Sequence, residues 1–130
     1  MHKGSCLCGA VRFTIEGDIQ HQPEACHCSQ CRKQSGHFFV AVNVERDQLT
    51  VEGAENVGWY RSSEQVERGF CSTCGASLFW KPLIDGYDYT AVMLGAFDTP
   101  TGMRIAKHIF VDDKGDYYDI DDGAPQSKGY

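Results

Sequence analysis

Every cysteine in this 130-residue chain stands close to another cysteine. Cys6-Leu7-Cys8, Cys26-His27-Cys28-Ser29-Gln30-Cys31 and Cys71-Ser72-Thr73-Cys74 hold all seven. Thiolates one or two residues apart converge on a single soft cation, and zinc is the usual one at neutral pH. Counting then divides the set. Cys6 and Cys8 with Cys71 and Cys74 make a closed four-thiolate site. The triplet Cys26, Cys28 and Cys31 leaves a zinc with one coordination position to fill, and that position is where zinc does chemistry. Two zinc ions per chain are expected, one structural and one catalytic.

Disulfides are the rival use of these residues. An odd count leaves one thiol over. Cys-x-Cys and Cys-x-x-Cys pairs also make strained or redox-labile bridges. A thioredoxin-type reading of Cys71 and Cys74 lacks the βαβ pattern it needs. Pairing Cys26 or Cys31 with Cys71 and Cys74 leaves Cys6 and Cys8 without a use. The four-thiolate site instead closes the first strand onto the middle of the chain, so its metal should matter for folding.

The triplet comes from one loop and the first turn of a helix. His27 lies between two ligands and is expected to turn away from the metal, supporting the ligands or meeting substrate. His37, His108, water or a substrate atom can complete the fourth position. A histidine there would make a second structural zinc. Three thiolates lower the Lewis acidity of zinc, which suits a soft substrate sulfur better than water. A bound thiol loses its proton, and its attack on an aldehyde gives a hemithioacetal; the reverse step cleaves the carbon–sulfur bond. Arg32 and Lys33 follow directly and are candidates to balance the site or meet substrate carboxylates. Gly36 leaves room for a ligand, and Phe38 and Phe39 read as core by strand alternation.

Strand signals dominate the rest. Val11-Phe13-Ile15 alternates with polar residues. Further runs are Phe39–Val44, Leu49–Val51, Trp59–Arg61, Val66–Phe70, Ser77–Trp80, Tyr89–Leu94 and His108–Val111. They are short, aromatic and β-branched, and turn residues separate them. The best helical turn is Ser29–Gln34, with Ser29 as its cap. No repeat or linker interrupts the chain, so residues 1–130 read as one mainly β domain. The acidic segment 112–130, with Asp112, Asp113, Asp116, Asp119, Asp121 and Asp122, reads as a solvated C-terminal face.

The formal charge of −6 argues against nucleic acid and anionic membrane partners. No run approaches the ~20 apolar residues of a membrane span, and the N-terminus is not of signal-peptide type. A cytoplasmic location is expected, where reduced thiols favour metal. Exposed sheet edges leave a homodimer open.

The cysteine motifs also carry a resemblance. Gly4-Ser5-Cys6-Leu7-Cys8-Gly9-Ala10-Val11, Cys26-His27-Cys28-Ser29-Gln30-Cys31-Arg32-Lys33 and Phe70-Cys71-Ser72-Thr73-Cys74-Gly75 resemble, in order, the glutathione-dependent formaldehyde-activating family, which includes the centromere protein V domain. His108-Ile109-Phe110-Val111 resembles its C-terminal strand. The resemblance implies a β-tent of several small antiparallel sheets around a structural zinc at Cys6, Cys8, Cys71 and Cys74. It implies a catalytic zinc at Cys26, Cys28 and Cys31, and carbon–sulfur lyase or synthase chemistry on a thiol–aldehyde adduct such as S-hydroxymethylglutathione. Where the related pattern often carries a tryptophan after Val111, this chain offers Tyr117 and Tyr118. The alternative is a non-catalytic zinc module that binds a protein partner, with both metals closed and an exposed apolar patch. Trp59, Trp80 and Phe97 are the first candidates for that patch, although each reads as core.

Overall fold

The computed structural model describes residues 1–130. Its strands are β1 (His2–Ser5), β2 (Arg12–Ile15), β3 (Glu24–Cys26), β4 (Phe39–Glu45), β5 (Leu49–Glu52), β6 (Val57–Ser63), β7 (Val66–Cys71), β8 (Ser77–Pro82), β9 (Tyr89–Met93) and β10 (Lys107–Ile109). One helix, α1 (Ser29–Ser35), lies between β3 and β4. No helix is long and apolar enough to cross a membrane.

Two sheets form. The smaller has the order β1-β2-β5, and the larger β10-β3-β4-β9-β8-β7-β6. All pairings are antiparallel except β10 with β3, which is parallel. The expected wholly antiparallel arrangement is corrected at that one edge. A parallel neighbour needs a long connection, and most of the chain lies between β3 and β10.

Strand alternation decides which residues face the core and which face the site. On β4, Val42 and Val44 enter the main core with Phe13, Ile15, Leu78, Phe79, Val92 and Phe97. Phe39 and Ala41 point to the opposite face, where they pack with Cys31 and Ala91. The Phe13 ring meets Phe79 and Phe97 edge-on, with centroids 6.0 and 5.4 Å away. These contacts join the two sheets. Gly4 makes the junction close: a Cβ there would stand 2.3 Å from both the Ala96 carbonyl and the Phe13 ring.

Three expectations about individual residues change. Phe97 is core, but Trp59 is 40% exposed on the edge strand β6, with Lys81 over its ring. Trp80 faces the site cavity rather than the core. The acidic side chains of the C-terminal segment are largely exposed, as expected, yet the segment itself is docked. His108 N–H donates to Pro125 O and Ser127 N–H to His108 O, so the segment covers the edge of β10.

Candidate metal centres and the adjoining cavity

The four sulfurs of Cys6, Cys8, Cys71 and Cys74 lie within 4.8 Å of one another, although the two pairs are far apart in sequence. Cys6 and Cys8 Sγ are 3.7 Å apart, and Cys8 and Cys71 Sγ 3.8 Å. Sulfurs bound tetrahedrally at ~2.3 Å, as around zinc, stand ~3.8 Å apart, so the arrangement fits the ion. Each pair sits on a turn closed by a left-handed glycine, Gly9 (φ 81°) and Gly75 (φ 81°). That conformation is nearly free for glycine alone. It turns backbone donors inward: Val11 N–H meets Cys6 Sγ at 3.3 Å and Cys74 N–H meets Cys71 Sγ at 3.4 Å. The N–H groups of Ala76 and Cys8 hold the Cys74 thiol down to about 6.

The second cluster, Cys26, Cys28 and Cys31, also brings its sulfurs within 4.8 Å, and no fourth His, Cys, Asp or Glu joins them. Cys26 ends β3. Cys28, not Ser29, caps α1, and its sulfur accepts from Cys31 N–H. A ligand thus doubles as the helix cap, placing Cys31 one turn on and inward. Hydrogen bonds from Cys26 and Cys31 hold the Cys28 thiol far below the ordinary range, while Cys28 and Cys31 push Cys26 up. The cluster concentrates negative charge that a cation would neutralise.

Neither histidine offered for the fourth position reaches it. His37 is hydrogen-bonded to Tyr117 Oη at 2.9 Å. His108 is bound within a buried chain that also holds His27. The Asp122 carboxylate can only accept, which sets the direction of that chain. His108 Nε2–H donates to Asp122 Oδ2 at 2.8 Å, His27 Nε2–H donates to His108 Nδ1 at 2.8 Å, and Tyr118 Oη–H donates to His27 Nδ1. Burial, then the His108 ring, push His27 down to about 4, which keeps it neutral. His27 does turn away from the sulfurs, but it is fully buried and does not line the cavity. Its role is to lock the loop that carries Cys26 and Cys28. Arg32 and Lys33 do not line the cavity either. The helical turn that brings Cys31 inward carries the next two residues off that face.

The cavity beside the triplet has a volume of ≈ 360 Å³. Its walls come from the site face of the large sheet, with Phe39 and Asn43 of β4, Tyr89 of β9, Trp80 of β8 and Arg68 of β7. Sequence reasoning missed Arg68. It is 3% exposed, and its Nη1 and Nη2 lie 3.6 and 3.7 Å from Cys31 Sγ. Nε donates to Ser62 Oγ. A charged residue on the inward register of a strand was the available signal.

A family model described as glutathione-dependent formaldehyde-activating enzyme matches residues 1–113. The chain belongs to that family. A Halomonas elongata protein, provisionally named for glutathione-dependent formaldehyde activation, is 38% identical over 59% of this chain and 54% of its own length. A Schizosaccharomyces pombe protein named as an uncharacterised lyase is 31% identical over 92% of this chain and 85% of its own. The chain thus spans about half of the first relative and most of the second. A Rhodobacter sphaeroides crystal structure shares the fold, with a TM-score of 0.63 at 24% identity over 95% of this chain and 98% of that one. Tyr118, Asp122 and Tyr130 lie beyond the stretch that the family model matches.

Removing the last acceptor tests the tail docking. In Asp122→Ala, amide exchange at His108 and Ser127 should quicken while the four-cysteine metal stays bound. Acid should loosen the same hydrogen bond. The His108 hydrogen bond, then the Ala124 N–H, hold the Asp122 carboxyl below its ordinary range. Its stabilisation is therefore complete above the unfolded value of ~3.9 and is lost as pH falls through the lower folded value.

Proposed function

We propose that the protein is a zinc-dependent carbon–sulfur lyase or synthase acting on a thiol–aldehyde adduct, with Cys26, Cys28 and Cys31 as its catalytic metal ligands. The observation that supports this reading is the three-sulfur cluster in the wall of a cavity, with no fourth side chain to close it. Zinc held there would supply a position at which a thiol sulfur gives up its proton. Cys6, Cys8, Cys71 and Cys74 would hold a second, structural zinc.

The reaction balances without an oxidant. The thiol sulfur adds to the aldehyde carbon, the carbonyl π bond opens, and the thiol proton ends on the new hydroxyl. The reverse returns thiol and aldehyde. Arg68 offsets negative charge at Cys31. The open cluster disfavours the partner-binding alternative, which needs both metals closed. Glutathione, the thiol in the family's name, is the reference thiol against which others are compared.

Calorimetric titration of the metal-loaded protein with small thiols, in two buffers of different ionisation enthalpy, tests the reading. Saturable binding with release of about one proton per site is expected. Absence of binding by every thiol would return the cluster to a structural role.

A further inference from the structure

We propose that the thiol half of the substrate is uncharged and carries an apolar, aromatic body, and that the cavity selects against a thiol that carries carboxylates, such as glutathione. This rests on the thiol–aldehyde reading above and narrows its substrate class. Apart from the three cysteines, Phe39, Ala41, Trp80, Tyr89, Ala91 and Ile109 are among the apolar or aromatic residues of the walls, which reward apolar burial. Phe39, Trp80 and Tyr89 stand on the sheet side, and Phe110 and Tyr130 on the other. Phe110 has φ 55°, a left-handed conformation that costs a non-glycine residue energy. Its ring meets Tyr130 edge-on at 4.9 Å, so the surrounding contacts hold it at the cavity.

The charges point the same way. Arg68 is the sole cation among the lining residues, and Cys31 and Ser62 already engage it. Glu24 and Asp113 line the cavity from exposed positions, and neither forms an ion pair. Three thiolates on a divalent ion leave one more negative charge. Glutathione brings two carboxylates and one ammonium, and its carboxylates would meet this surplus without a free cation. A neutral aryl thiol avoids the repulsion and fills the walls.

The test compares 2-phenylethanethiol with glutathione on the metal-loaded protein, by calorimetry and by quenching of Trp80 fluorescence, at low and high salt. The aryl thiol should bind at least about tenfold tighter at low salt. Added salt should strengthen glutathione binding, because it screens repulsion. The double variant Glu24→Gln, Asp113→Asn should narrow the gap between the two thiols. Glutathione binding as tightly as the aryl thiol would overturn this inference and leave the thiol-site reading standing. Binding by neither would overturn both.

Discussion

Cys71→Ser is expected to unfold the domain, whereas Cys28→Ser should leave it folded with one metal ion fewer. The difference follows from where each cluster sits. Cys71 is fully buried at the end of β7 and belongs to the main core with Cys6. Its partners Cys6 and Cys8 lie between β1 and β2 of the small sheet. A metal held there would therefore close a long loop and hold one sheet to the other. Structural zinc contributes on the order of 10 kcal/mol to folding in small domains, comparable to their whole stability. The triplet is different. It lies within one short segment and packs against the smaller cluster of Phe39, Ala41 and Ala91, apart from the main core. Losing its metal opens no sheet. Far-UV circular dichroism and metal content decide the matter together. Equal collapse of both variants would remove the division between a structural and a catalytic ion.

Much of this was legible because it depends on local chemistry. Each strand run read from the sequence overlaps a strand, since alternation and turn residues are local signals, but the run His108–Val111 leaves β10 after Ile109, where Phe110 turns left-handed. β1 and β3 were missed: His2-Lys3-Gly4-Ser5 and Glu24-Ala25-Cys26 lack β-branched residues, and their pairing comes from tertiary partners. The grouping of the seven cysteines followed from spacing, which encodes chelation directly. The hydrogen-bonded chain from Tyr118 through the buried His27 and His108 to Asp122 left no such trace. Its members lie far apart in sequence, and an acidic segment looks the same whether it is docked or free. Trp59 misled for a related reason. An aromatic residue in a strand is core only when that strand has a second layer over it, and β6 is the edge of its sheet.

Arg68→Met should weaken metal binding at the triplet by ~10–100-fold while leaving the four-cysteine metal in place. A buried guanidinium needs an anion, because desolvating an uncompensated charge costs several kcal/mol. No carboxylate pairs with Arg68, whose fork of Nη1 and Nη2 instead meets Cys31 Sγ beside the Phe39 ring. The cation and the thiolate thus support each other: removing one leaves the other buried and unbalanced. Methionine keeps the volume and removes the charge. The metal-free variant should melt no lower than the metal-free parent, since it no longer bears the desolvation cost of a buried cation. Arg68→Lys keeps the charge and loses the fork, so it should fall between the two. Competition with a graded series of chelators reads the effect, because the first of the two ions should leave at a lower chelator strength. If Arg68 serves packing alone, Arg68→Met lowers the melting temperature and leaves the order and affinity of metal loss unchanged.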